Sequence, residues 1–300
     1  MGLGTGTWGI ETDAVDAGEL LAAFAAAGGT LLDTGPHYTD GRAEEMLGSL
    51  LGKAFRRDDF VLATKAGVTL RSGGLIADSS RRALLDSLDA SLARLDTDHV
   101  DLWQIQLLDP MTPPEETLSA LEHAVASGRA RYVGVANHSG WQLARASTLA
   151  ECAAGHARIV AAGTEYSLLE RSAEAEMLPA AAALGVGVLA YAPLGGGVLT
   201  GKYRHNTPLD SRAARTDLVE HHLTAPGRRV VDAVTMAAEG LGVSPAEVAL
   251  AWVRDRAEVA SVIVGARTVA QLAPSLAAEA LVLPTEIRRA LADVSGGGSA

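Results

Sequence analysis

Three hundred residues, 48% of them hydrophobic, suffice for one large core, and no Pro/Gly/Ser-rich linker divides the chain, so a single domain over residues 1–300 is expected. With 20% charged residues and a formal net charge of −11, the overall field repels a phosphate backbone, which argues against a nucleic-acid partner. Cys152, the single cysteine, forms no internal disulfide. No apolar run approaches the roughly 18 residues of a membrane span, and the opening Met-Gly-Leu-Gly-Thr-Gly-Thr-Trp lacks the basic and apolar regions of a signal peptide; a cytoplasmic protein without membrane attachment is expected.

Eight short β-rich runs follow one another, at residues 3–5, 30–33, 60–65, 100–105, 132–136, 158–164, 187–192 and 261–265. Most are apolar on both faces, as strands buried between a core and covering helices must be. The intervening segments carry helical periodicity, at Leu20, Leu21 and Phe24, then at Leu84, Leu85, Leu88, Leu92 and Leu95, and at Pro114-Glu-Glu-Thr-Leu with proline in the first turn. Eight strand–helix units in about 280 residues match a closed (β/α)₈ TIM barrel better than the competing doubly wound open sheet. Two stretches break the regularity. Residues 204–228 form a polar segment where barrels place either substrate-contacting insertions or simple flexible loops, and a Gly-Gly-Gly-Ser-Ala tail, from about residue 295 to 300, is expected to be flexible.

In a barrel the active site lies on the C-terminal face, and Asp33, Lys65, Gln106, Asn137, Tyr191 and Gly265 all fall at the C-terminal ends of predicted strands. Lys65 points an ammonium toward the barrel mouth, Asp33 on a neighbouring strand supplies a counter-charge, and Tyr38 in the following loop returns over the same opening. Such a trio is a proton-donor system in which the lysine stabilises the phenolate and brings the tyrosine closer to its working range. It is equally a buried ion pair that only fixes the barrel.

Other motifs are weaker. Gly196 to Lys202 reads as the start of a phosphate-binding P-loop, but Tyr203 stands where Ser or Thr must reach magnesium. The glycines at 2, 4, 6 and 9 follow no full strand, as a dinucleotide fingerprint requires. His221 and His222 are the only close histidines, and neighbours in sequence rarely share one ion, so no metal is expected and the histidines read as surface residues. The four tryptophans are too scattered for a base-stacking platform and read mostly as packing residues.

The strings Leu-Leu-Asp33-Thr-Gly-Pro-His-Tyr38, Ala-Thr-Lys65 and Arg-Leu-Asp-Thr-Asp-His-Val-Asp-Leu-Trp-Gln-Ile-Gln106 closely resemble aldo-keto reductases. The resemblance continues in order through Gly128 to Asn137, Glu165 to Arg171, Tyr191 to Lys202 and Val262 to Thr268, covering nearly the whole chain. It implies Tyr38 as proton donor, Lys65 and Asp33 as its tuning pair, and Gln106 as the fourth catalytic position. It implies NADP(H) as cofactor, with Tyr191 stacking on the nicotinamide and Asp33, Asn137, Thr7 and Trp8 near it. Pro193, Leu194, Gly195, Gly197 and Lys202 would hold the pyrophosphate. Gly265, Arg267, Thr268 and Gln271 would surround the adenosine end, where a guanidinium pairs bidentately with a 2′-phosphate.

Departures from the family pattern gather at the reacting end. The family usually has histidine at position 106; Gln106 removes a titratable group but leaves an amide N–H for a substrate oxygen. Gly163 replaces a glutamine, Ala136 a serine, and Ser275 an asparagine near the adenine, while Asn137 keeps the expected donor. At about 0.5–1.5 kcal/mol per missing hydrogen bond, cofactor affinity falls by about one to three orders of magnitude. The chain also opens almost at the first strand, where relatives carry an N-terminal hairpin. Three readings follow: a reductase of small aldehydes or ketones; altered chemistry on the same scaffold, either enone reduction or a non-redox step with Tyr38 as acid; and a cofactor-binding module with little turnover.

Overall fold

The computed structural model describes residues 1–71, 74–152, 157–204 and 217–296. Its strands are β1 (Gly2–Gly4), β2 (Leu31–Asp33), β3 (Val61–Ala66), β4 (Val68–Arg71), β5 (Gly74–Ala77), β6 (Val100–Ile105), β7 (Ala130–Ala136), β8 (Ile159–Glu165), β9 (Gly187–Tyr191) and β10 (Val259–Val264). Eight of them close into a parallel barrel in the order β1-β10-β9-β8-β7-β6-β3-β2. These are the eight runs expected from the sequence, in a TIM barrel.

Side-chain alternation divides each strand between two cores. Ala63, Leu102, Ala161, Leu189 and Ile263 meet inside the barrel. Leu62, Trp103, Val188 and Val262 belong to the larger core shared with the helices. Closure brings β1 against both β10 and β2. A Cβ on Gly2 would stand 2.7 Å from Ile263 Cδ1 and 2.9 Å from Leu31 Cδ2, so a larger residue at the seam would have to move these two side-chain ends.

Ten α-helices are described: α1 (Ala14–Ala26), α2 (Arg42–Lys53), α3 (Arg81–Leu95), α4 (Pro114–Ala126), α5 (Gly140–Cys152), α6 (Met177–Leu184), α7 (Ala225–Leu241), α8 (Pro245–Arg254), α9 (Val269–Ala277) and α10 (Thr285–Gly296). Local chemistry starts several of them. Asp13 accepts from the amides of Val15 and Asp16 at the head of α1, Pro114 occupies the first turn of α4, and Ser244 with Glu247 forms a reciprocal capping box on α8.

Three features differ from expectation. Directly after β3, Gly67 turns the chain at φ +90° into the antiparallel hairpin β4–β5, each strand only four residues long and too short to register as a separate unit. The polar segment 204–228 is not wholly irregular. Residues 217–222 form a 3₁₀ turn that buries Val219, and α7 begins at Ala225, capped by Thr224, whose Oγ1 accepts from Gly227 N at 3.3 Å. Residues 205–216 of that segment lie outside the described residues. At the other end, α10 runs to Gly296, so residues 295 and 296 of the expected flexible tail are helical; 297–300 lie outside the described residues.

Candidate active site

Asp33 ends β2, Lys65 is the penultimate residue of β3 and Tyr191 ends β9, while Gln106, Asn137 and Gly265 each stand one residue beyond β6, β7 and β10. Parallel closure therefore carries all six to the same end of the barrel. Lys65 Nζ is 2.7 Å from each carboxylate oxygen of Asp33, 2.8 Å from Thr34 O and 3.3 Å from Tyr38 Oη. The Tyr38 hydroxyl also donates to Asp33 Oδ2 at 3.4 Å. Burial disfavours the Lys65 ammonium, but Asp33, followed by Tyr38, outweighs it and raises its pKa, so the charge is kept.

The electrostatics of Tyr38 correct the expectation. Burial pushes its phenol above the ordinary value of 10.0; Lys65 pulls down, and Asp33 pushes up again. The lysine's pull is offset because the same ammonium is neutralised by the carboxylate beside it. Tyr38 is accordingly fully protonated at neutral pH, ready to give a proton but not primed toward phenolate in this state.

These groups line a cavity of about 230 Å³ together with Gln106 and Tyr191. Ala136 and Gly163, the two small residues at departures from the family pattern, are also on its wall. So are residues that the sequence reading missed, notably His37 and Gln104. Gln104 shares the inward face of β6 with Gln106 at a spacing of two, a signal that strand alternation offered. Its Oε1 and that of Gln106 are buried without hydrogen-bond partners. A Cβ at Gly163 would stand 3.2 Å from Ala136 Cβ and in ordinary contact, at 3.5 Å, with Gln104 Oε1. His37 had no comparable signal: it reaches the cavity from the loop after β2, its ring 4.6 Å from that of Tyr38, and burial followed by the Lys65 charge lowers its pKa to about 4.

Asn137 is held by both ends of its amide. Nδ2 donates to Gln106 O at 2.9 Å, and Oδ1 accepts from the Tyr191 hydroxyl at 2.5 Å. The side-chain donor expected for a cofactor is thus engaged with Gln106. Burial and then Glu165 push the Tyr191 phenol up to about 12, so it too remains protonated. Asn137, Thr39, Asp40 and Ala192 all adopt positive φ, at 55°, 50°, 59° and 50°. Left-handed backbone in non-glycine residues costs about 1–2 kcal/mol each, and here it is concentrated around the barrel mouth.

The loop after β9 carries Pro193, buried, and Leu194, packed against the core, into a run of left-handed glycines at Gly195, Gly196 and Gly197. A Cβ on Gly197 would lie 2.8 Å from Lys202 Nζ, so the ammonium rests directly over bare backbone. At the head of α9, Thr268 accepts from Gln271 N at 3.4 Å, and Gln271 Oε1 accepts from Arg267 N at 3.0 Å. Arg267 Nη1 lies 3.6 Å from Glu11 Oε2. Ser275 is buried on α9.

Thr7 and Trp8 are not brought to the catalytic cavity. The Trp8 ring is fully buried in the helix-side core, and Thr7 Oγ1 shares a hydrogen bond with Thr12 Oγ1 at 3.0 Å. Trp103 and Trp252 are packing residues, but Trp141 is 55% exposed. Nor are all histidines on the surface: His138 and His222 are buried. His221, His222 and Glu165 place their ligand atoms within 4.8 Å of one another, and His222 Nε2 is 3.8 Å from Glu165 Oε1. Among the described residues no helix is long and apolar enough to cross a membrane.

The profile described as the Aldo/keto reductase family matches residues 1–295. The chain is 36% identical to the uncharacterized oxidoreductase YrpG of Bacillus subtilis (strain 168), over 98% of this chain and 91% of that protein. It is also 36% identical to a probable voltage-gated potassium channel subunit beta of Oryza sativa subsp. japonica, over 91% of this chain and 84% of the other. An L-glyceraldehyde 3-phosphate reductase of Escherichia coli (strain K12) is 36% identical over 77% of this chain and 69% of its own length.

Proposed function

Because the chain belongs to the aldo/keto reductase family, we propose that it reduces the carbonyl of a small aldehyde or ketone with a nicotinamide dinucleotide, preferring NADPH to NADH. The observation that carries this reading is the bidentate Asp33–Lys65 pair with Tyr38 Oη 3.3 Å from the ammonium, at the wall of a cavity open at the barrel mouth.

The residues present fit the cofactor. Lys202 over the bare backbone of Gly197 is a cradle that a Cβ would fill, and the orphaned amide oxygens of Gln104 and Gln106 are acceptors awaiting a partner. Tyr191 and Asn137 would hold the nicotinamide, residues 193–197 with Lys202 the pyrophosphate, and Gly265, Arg267, Thr268 and Gln271 the adenosine end. When bound, the reduced nicotinamide supplies a hydride.

The chain's own residues supply the proton and the field. Tyr38 gives its phenolic proton to the carbonyl oxygen as negative charge develops there. The phenolate left behind faces Lys65, whose position Asp33 and the carbonyl of Thr34 fix. Gln106 has no proton to transfer; its side-chain amide donates a hydrogen bond that orients the same oxygen. A positioned acid or base contributes about 10²–10⁴-fold, so with glutamine at position 106 turnover is slow but not abolished.

The test is oxidation of NADPH by the purified protein, followed by absorbance, with activated aldehydes paired to matched enones. Oxidation by aldehydes that Tyr38→Phe reduces by about 10²-fold or more supports carbonyl reduction. A Tyr38-dependent preference for enones moves the activity to carbon–carbon double bonds. Tight NADPH binding without oxidation of any substrate rejects a reductase in favour of a cofactor-binding role.

A further inference from the structure

Strands β6 and β7 separate the catalytic cavity from a second, larger one. It lies on their outer face between α4 and α5 and measures about 420 Å³. Ile105 and Val135, whose sequence neighbours Gln106 and Ala136 face the catalytic cavity, form its inner wall. Leu118 and Leu121 of α4 and Ala146 of α5 form its sides. At the rim, Leu108, Met111 and Trp141 are 38%, 88% and 55% exposed, which gathers three of the large exposed hydrophobics of the described residues at one opening.

Seven of the lining residues are polar, Arg145 among them, and the Ser79 hydroxyl is buried without a hydrogen-bond partner. Asp109 accepts from Ser79 N, Met111 N and Thr112 Oγ1. His138 is different. It is 7% exposed, and its Nδ1 lies 2.8 Å from Ala136 O, which can only accept, so Nδ1 carries the hydrogen. Burial lowers the pKa of the ring and keeps it neutral. Nε2 is then a bare acceptor, and no described residue donates to it.

We propose that this cavity is a second small-molecule site, taking an apolar body with one hydroxyl donor, a phenol, that bonds His138 Nε2 and packs between α4 and α5 against Trp141. Largely apolar walls with a few placed polar groups are the usual composition of a ligand pocket. A neutral imidazole acceptor on the wall selects a hydroxyl donor. The site is independent of the reductase reading, because no catalytic or cofactor residue lines it.

The test titrates 4-ethylphenol and its methyl ether, 4-ethylanisole, into the full chain. Binding is read by calorimetry and by tryptophan emission, the part of the change that Trp141→Phe removes reporting the site. The expected result is saturable binding of the phenol with a change in emission, and binding of the ether weaker by about three- to tenfold, the worth of one hydrogen bond. His138→Phe should bring the two ligands to the same affinity. Ala146→Trp fills the space between the helices and should abolish binding of the phenol. Equal affinities in the unmodified protein, or phenol binding that survives Ala146→Trp, would overturn the assignment. The matched ligands decide it even where a substituted protein folds poorly.

Discussion

Lys65 and Asp33 sit buried, with side-chain exposures of 8% and 7%, so each depends on the other's charge. Asp33→Asn leaves a buried ammonium without its counter-ion, and breaking a buried pair from one side costs about 3–5 kcal/mol. Urea denaturation should show that loss along with the loss of turnover, whereas Tyr38→Phe should lose turnover with the fold nearly as stable. His37 carries a separate pH dependence. Its ring takes up a proton near 6.5 in the unfolded chain but only near about 4 in the folded one. Between those values the unfolded state holds the extra proton, so stability falls as the pH falls: the contribution is whole above 6.5 and is lost progressively toward about 4. The expected loss is on the order of 2–3 kcal/mol between about pH 7 and pH 4, and His37→Phe should show a correspondingly flatter profile of denaturation midpoint against pH. Glu11 Oε2 lies 3.6 Å from Arg267 Nη1, so if Arg267 pairs with the 2′-phosphate as proposed, the two anions compete for one guanidinium. Glu11→Gln should therefore tighten NADPH by about two- to fivefold and leave NADH unchanged in a fluorescence titration, the range expected of a partly exposed ion pair.

One strand and two helices decide where Lys65 stands. Thr64, its neighbour on β3, points outward and donates to Glu44 Oε1 of α2 at 2.6 Å, while Glu44 Oε2 accepts from Arg94 Nε of α3 at 2.7 Å. The Glu44 side chain has no exposure, so Glu44→Ala leaves both Thr64 and Arg94 without their partner and should cost about 3–5 kcal/mol by chemical denaturation. Glu44→Gln keeps the acceptor for Thr64 and should cost less, which separates lost charge from lost shape. The strand β3 was legible because Phe-Val-Leu-Ala-Thr-Lys runs four apolar residues into Thr64 and Lys65, as a mostly buried strand ending at a site does. Glu44 was not legible: a glutamate in the first turn of a helix reads as a surface charge, and only the packing of α2 on α3 buries it. Gln104 was missed although its spacing from Gln106 offered a signal, whereas the hairpin β4–β5 and the placement of His37 are set by loop geometry that carries no period.

Across the whole molecule, repetition made the barrel readable, since eight apolar runs with helices between them leave few ways to bury both faces. The parts outside the repeat were not readable in the same way. Helix α10 packs on α7, and its place is fixed by contacts distant in sequence rather than by a pattern of its own. Arg171, in the loop after β8, is the main tie. Its Nη1 donates to Ala292 O at 2.6 Å and Ser295 Oγ at 2.9 Å, Nη2 donates to Glu174 at 2.7 Å, and its guanidinium lies 5.4 Å from the ring of Trp252. Trp252, itself stacked on Tyr166, donates from Nε1 to Arg288 O of α10 at 3.3 Å. One planar cation thus joins the middle of the chain to its last helix through several donors at once. An ammonium is a compact charge on a flexible stem and cannot reproduce the fork, so Arg171→Lys keeps the charge but not the geometry. It should lower stability by about 2–3 kcal/mol, the worth of charge-assisted hydrogen bonds lost at that site, and increase hydrogen exchange in α10 before the barrel strands. Turnover at saturating substrate should stay near that of the unmodified protein, because Arg171 lines neither cavity. Loss of turnover in step with stability would instead make α10 part of what holds the catalytic face together.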